Sequence, residues 1–178
     1  MKWTLVLGTA RSGAKSKLVV NWINDFLNNN FKAEIRKVDI SDFVLSRTVP
    51  ADQKDPVADK WREIVEDSDG FFIVTPEYNK SFPGELKILL DSTYVEYKKK
   101  PVAICGVSAG GFGAVQAVSS LQQYLWNLQM ITVNKALYVS NVNDLFDDQG
   151  SLLKSDHEDK LKVVAKELEW FSDLLKNS

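Results

Sequence analysis

Three short stretches of this chain hold residue types suited to gripping a charged or planar group, and each follows an apolar run of strand length. Residues 8–17 read GTARSGAKSK: hydroxyls at Thr9, Ser12 and Ser16, a cation at Arg11, and glycines at Gly8 and Gly13 that let a ligand approach the backbone. The helix that follows opens with N–H groups that have no partner inside it, so this turn offers what a phosphate needs. Residues 75–87, TPEYNKSFPGELK, begin where Pro76 stops a strand; Pro76, Glu77, Tyr78 and Asn79 present backbone amides and an amide side chain that suit a flat ring with a heteroatom edge. Residues 108–114, SAGGFGA, add Ser108 and the glycines Gly110, Gly111 and Gly113, which expose backbone N–H groups. Each turn alone also reads as an ordinary connection: a capped helix start, a solvated polar loop, or glycines that permit tight helix packing. Their coincidence is what favours a site.

The elements around these turns alternate. Residues 3–7 and 101–107 are continuous apolar runs, as are residues 70–74, and such runs belong to strands buried on both faces. Leu18, Trp22 and Phe26, with Val19, Ile23 and Leu27, repeat at helical spacing until three asparagines end the pattern. Residues 31–40 form a weaker strand, and residues 41–54 a long polar connection on the ligand side. Asp55 and Pro56 start a helix whose stripe is Val57, Trp61, Ile64 and Val65. Leu86, Leu89 and Leu90 mark a short helix, and Val115, Val118, Leu121, Leu125 and Leu128 a longer one. Residues 136–139 give the last strand. Ser155 and Glu158 have capping-box spacing ahead of Leu161, Val164, Leu168, Phe171 and Leu175.

Strand and helix thus alternate five times, which calls for a parallel sheet with right-handed crossovers. The expected fold is α/β: one domain over residues 1–178, three α/β/α layers, flavodoxin-like, with a five-stranded parallel sheet in the order 2-1-3-4-5. Ligands of such a sheet sit beyond the carboxyl ends of strands one, three and four, where the three turns fall.

Composition narrows the function classes. With 178 residues, 44% hydrophobic and 26% charged, and a net charge of −2, the chain resembles a globular domain and has no basic field to gather nucleic acid or an anionic membrane. No run reaches transmembrane length and the amino terminus is a poor signal peptide, so a soluble cytoplasmic protein is expected. Cys105 sits in an apolar run and reads as core, His157 as a first-turn helix residue, and the tryptophans mostly as core, with Trp126 or Tyr94 as candidates for a subunit interface or pocket wall. Asp144, Asp147 and Asp148 lack a calcium-loop pattern, and no metal site is expected.

The first turn approaches a Walker A loop, but Ala14 intervenes between Gly13 and Lys15; it also lacks the GxGxxG fingerprint. Taken together, GTAR with Ser16, TPEYNKSFPGELK with Asp91, and the strand into SAGGFGA resemble the NAD(P)H-dependent FMN reductase family, which includes quinone, azo and chromate reductases. The resemblance runs over the first three quarters of the chain, with departures at Ile88, Ser92 and Ala114. It implies FMN as cofactor and NADPH or NADH as donor. Thr9, Arg11 and Ser16 would hold the phosphate with N–H groups of Ser12 and Gly13; Pro76, Glu77, Tyr78 and Asn79 would line the ring; Ser108, Gly110 and Gly111 would meet its pyrimidine edge. It further implies a small-molecule electron acceptor and a homodimer or homotetramer. No catalytic side chain is singled out, because the protein's part in such chemistry is placement and electrostatics. A flavodoxin-type electron carrier, a flavin-free interaction module on the same fold and a P-loop hydrolase are the competing readings.

Overall fold

The computed structural model describes residues 1–147, 150–153 and 156–176. Its strands are β1 (Lys2–Leu7), β2 (Glu34–Asp39), β3 (Gly70–Pro76), β4 (Pro101–Val107), β5 (Ile131–Thr132) and β6 (Leu137–Val139). All pair in parallel, in the order β2-β1-β3-β4, and both β5 and β6 lie against β4. The helices are α1 (Ser16–Asn30), α2 (Pro56–Asp67), α3 (Gly84–Leu90), α4 (Val115–Asn127) and α5 (Asp156–Lys176).

The expected order 2-1-3-4-5 is the observed one, with a correction at its last position. There two short strands stand in place of a single one: β5 pairs with Pro101 and Val102, and β6 with Cys105, Gly106 and Val107. The predicted strand over residues 136–139 is β6, and Ile131–Thr132 is the piece that the reading missed.

Side chains alternate across the sheet, so each buried strand feeds two cores. Leu5, Phe72, Val74, Ala103 and Cys105 point to the face covered by α1 and α5, where Val19, Ile23, Leu27, Leu161, Val164 and Leu168 are buried. Val6, Phe71, Ile73, Val102 and Ile104 point to the other, covered by α2, α3 and α4. Burial on both faces explains why the strands read as unbroken apolar runs.

Local starts follow the sequence signals. Asp55 caps α2 by accepting from Val57 N at 2.9 Å and Ala58 N at 3.0 Å, with Pro56 at the first helical position. Trp61 and Val65 are fully buried, joined by Ala58, while Val57 and Ile64 are half-buried at the edge of the stripe. In the connection after β2, Phe43 and Val49 are buried, so it is anchored on the α2 face of the sheet. Ser155 and Asp148 lie outside the described residues. Trp3, Trp22 and Trp61 are core; Trp126 and Trp170, by contrast, are exposed. Among the described residues no helix is long and apolar enough to cross a membrane.

Candidate cofactor site

The three turns leave the sheet at the carboxyl ends of β1, β3 and β4, which are adjacent strands. Gly8 crosses close over β3, with its N–H donating to Val74 O at 2.8 Å; a Cβ at this position would stand 2.8 Å from the same oxygen, so only glycine fits. Beyond it the Thr9 hydroxyl is buried, lies 3.0 Å from the Tyr78 hydroxyl, and accepts from Arg11 N at 3.2 Å. Glu85 Oε1 accepts from Thr9 Oγ1 at 3.3 Å and from Ala10 N at 3.1 Å. Thr9 thus braces the first turn against the second.

The rest of the first turn is open. Ser12, Gly13 and Lys15 are exposed, and the Arg11 guanidinium lies 6.0 Å from the centre of the Tyr78 ring. Ser16 is buried as the first residue of α1. No side chain caps α1, and its first turn has no acidic residue. A helix start with no acidic residue in its first turn, beside Arg11 and Lys15, has the electrostatics that suit an anion.

In the second turn Tyr78 and Ser81 exchange backbone hydrogen bonds of 2.9 and 3.1 Å around Asn79 and Lys80, whose φ values are 51° and 66°. Two consecutive left-handed residues make a tight reversal that asparagine tolerates. Glu77 turns the other way. Its Oε2 accepts from Gln116 N at 3.0 Å and Ala117 N at 3.2 Å, and so caps α4 from across the site.

The third turn is braced by Ser108, whose hydroxyl donates to Gly110 O at 2.7 Å and accepts from Gly113 N at 2.9 Å. Gly110 O also accepts from Asn141 N at 3.0 Å, and Ser108 O from Val142 N at 3.1 Å, which ties in the segment after β6. Nothing lies within 4 Å of a Cβ built at Gly110 or Gly111, so packing within the chain does not demand glycine there. At Ala114 the chain takes φ 62°, a left-handed position suited to glycine.

Between the turns lies a cavity of about 310 Å³. Of the predicted residues Arg11, Gly13, Ser16, Pro76, Glu77, Tyr78 and Ser108 line it, together with Ala14, Lys15, Val107, Ala109 and Val142. Thr9 and Ser12 line a second cavity of about 330 Å³ that shares Arg11 and Gly13 and reaches Asp39 and Ser41. Asn79, Gly110 and Gly111 line neither cavity. Sequence reasoning missed Val142, which the rule that placed the other turns could have found, since it follows the strand next to β4. A larger cavity of about 710 Å³ lies elsewhere, between α1 and residues 150–152.

Behind the second turn Asp91 accepts from Tyr124 Oη at 2.6 Å and pairs with Lys87 Nζ at 2.6 Å, fastening α3 to α4. Burial pushes the Tyr124 phenol up, and the Asp91 bond adds to that. Burial likewise pushes the Cys105 thiol up, which keeps it protonated and inert in the core. Among the described residues no group of three or more His, Cys, Asp or Glu could hold a metal ion.

A doubly wound parallel sheet in the order 2-1-3-4-5, with a cavity beyond the carboxyl ends of β1, β3 and β4, defines a flavodoxin-like α/β protein. The family of NADPH-dependent FMN reductases matches residues 1–144, and the chain belongs to it. Over 181 residues it is 29% identical to a 2-hydroxy-1,4-benzoquinone reductase of Burkholderia sp, covering 97% of both chains. It is 26% identical over 177 residues to an NADPH azoreductase of Bacillus sp. (strain OY1-2), covering 99% of this chain and 95% of that one. In structure it is similar to FerB, a flavoenzyme NAD(P)H:(acceptor) oxidoreductase from Paracoccus denitrificans, with a TM-score of 0.80, 22% identity and 97% of each chain covered. With membership come an oxidoreductase activity, FMN as cofactor and a reduced nicotinamide nucleotide as donor. The residues present fit that group: an uncapped helix beside two cations at one end of the cavity, and at the other Ser108, from a turn whose Gly110 and Gly111 are not demanded by packing.

Proposed function

We propose that this chain passes electrons from NADPH or NADH to a small aromatic acceptor of the quinone or azo class, with FMN held by the three turns. The observation that carries this is the single cavity on which Arg11 and Ser16, Pro76 to Tyr78, and Ser108 converge from three separate parts of the sequence. Arg11, Ser16 and the amides of Ser12 and Gly13 would hold the phosphate; the backbone of Pro76, Glu77 and Tyr78 would line the ring; the Ser108 turn, with Gly110 and Gly111 at its rim, would face the pyrimidine edge. Thr9 and Asn79 shape the turns that carry these groups. FMN supplies the two-electron relay between nicotinamide and acceptor. The protein supplies placement, together with N–H donors that favour negative charge on the ring edge.

The same reading takes the chain as one cytoplasmic domain that works as a homodimer or homotetramer, with exposed Tyr94 and Trp126 available for subunit contact. Neither nucleic acid nor membrane is part of it.

The test is the absorption spectrum of the purified protein with FMN, followed by NADPH or NADH without air and then a benzoquinone. Binding, bleaching by a nucleotide and recovery with the quinone are expected. A chain that binds no FMN overturns the reading, and one whose bound FMN neither nucleotide bleaches is an electron carrier. The ratio of NADPH to NADH oxidation rates identifies the donor.

A further inference from the structure

Resting on that reading, we propose that Glu77 is a positioning residue for the flavin: by capping α4 across the site, its carboxylate fixes the Ser108 turn against the Pro76 to Tyr78 turn at the separation the ring requires. Helix α4 has no cap of its own. Its N-cap position is Ala114, which has no side chain able to cap and takes a left-handed backbone, so no local group satisfies the first N–H groups of the helix. Glu77, 39 and 40 residues earlier in the chain, satisfies two of them, Gln116 N and Ala117 N, with a single oxygen.

That carboxylate also lines the cavity. Its two bonds link the end of β3 to the start of α4, and the turn that must meet the ring edge is the piece of chain leading into that start. Without them the turn keeps its bonds to Ser108 and to the segment after β6, but the first N–H groups of α4 lose their partner. Charge gives the arrangement a second effect. A carboxylate beside the cavity would oppose electrons arriving on the ring, and seating it on the positive end of α4 offsets that opposition without abolishing it. Glu77 is thereby a determinant of both the fit and the potential of the flavin.

Three variants separate these effects. Glu77→Gln keeps an oxygen of the same reach that can accept both N–H groups but carries no charge. Glu77→Asp keeps the charge on a stem one carbon shorter, and Glu77→Ala removes both. FMN affinity, read by quenching of FMN fluorescence, is expected to weaken roughly tenfold or more in Glu77→Ala and Glu77→Asp and to stay within about threefold in Glu77→Gln, a tenfold loss being about the size of one lost hydrogen bond. The midpoint potential of bound FMN is expected to move to a more positive value in Glu77→Gln, which a purely structural cap would not produce. Amide hydrogen exchange at Gln116 and Ala117 without FMN reads the cap directly: protection should survive in Glu77→Gln and fall in the other two. Should Glu77→Ala not fold, the Asp and Gln pair carries the same comparison. Wild-type affinity in Glu77→Asp with protection lost, or a Glu77→Gln variant as weak as Glu77→Ala, overturns the proposal. A wild-type chain that binds no FMN overturns the functional reading itself, and is recognised before any variant is compared.

Discussion

The first and third turns leave neighbouring parts of the same sheet edge, and both lead into helices without a local cap, yet they are finished in opposite ways. The start of α4 is closed from within the protein by Glu77, and its turn is laced by Ser108 and by the segment after β6. The start of α1 is left open, with no acidic side chain on it and with Arg11 and Lys15 beside it. The protein brings its own anion to one helix and leaves the other without one. With FMN held as proposed, one cavity wall is preformed and the other is completed by the ligand, so substitutions at the two turns should fail in different currencies: stability at the third, affinity at the first.

The largest effect is expected at the closed end. In Gly106→Ala the new Cβ would stand 2.3 Å from Gly113 O and 2.7 Å from Val118 Cγ2. Urea denaturation without FMN should show a loss of about 3 kcal/mol, the upper end for overpacking; stability equal to wild type would mean that the third turn is not the rigid wall described. At the open end, Arg11→Ala should weaken FMN binding by about 2 kcal/mol, the size of a charged hydrogen bond, while the denaturation midpoint of the FMN-free protein hardly moves. A fall in that midpoint with unchanged FMN affinity would reverse the assignment of the two ends. Ala114→Gly should stabilise the FMN-free chain by about 1 kcal/mol, because the left-handed backbone then carries no Cβ penalty. Smallest of all, millimolar inorganic phosphate should raise the stability of the FMN-free wild type by less than about 1 kcal/mol through mass action and leave Arg11→Ala unmoved; an equal rise in both would place the anion elsewhere.

Much of this architecture was legible in the sequence because it is local. Pro76 ends a strand where proline must, Asp55 and Pro56 start a helix with their own side chain and ring, and three apolar runs of strand length need two covered faces. What was hidden acts through space. Glu77 lies far in sequence from the N–H groups it caps, so its neighbours suggested a residue lining a ring and gave no sign of a helix cap. The bond of Thr9 to Tyr78 likewise depends on how two strands are ordered, which the turn's own residues do not announce. The short β5 was hidden for another reason: two residues are too few to show a strand period, and a break at Asn134 and Lys135 separates it from the apolar run that announces β6.

That break has a consequence for how copies of this protein can meet. A sheet invites a new strand wherever it shows a long row of unpaired backbone groups, and here one border offers two runs of two and three residues, too short to template a neighbour. The opposite border, β2, carries Glu34, Arg36, Lys37 and Asp39, with Lys37 already bonded to Asn21 at 3.0 Å. Neither border welcomes extension of the sheet into a second molecule. Growth into ribbons is thus discouraged from both sides, and the homo-oligomer proposed above would have to form through the helical faces, where association can stop at a closed number.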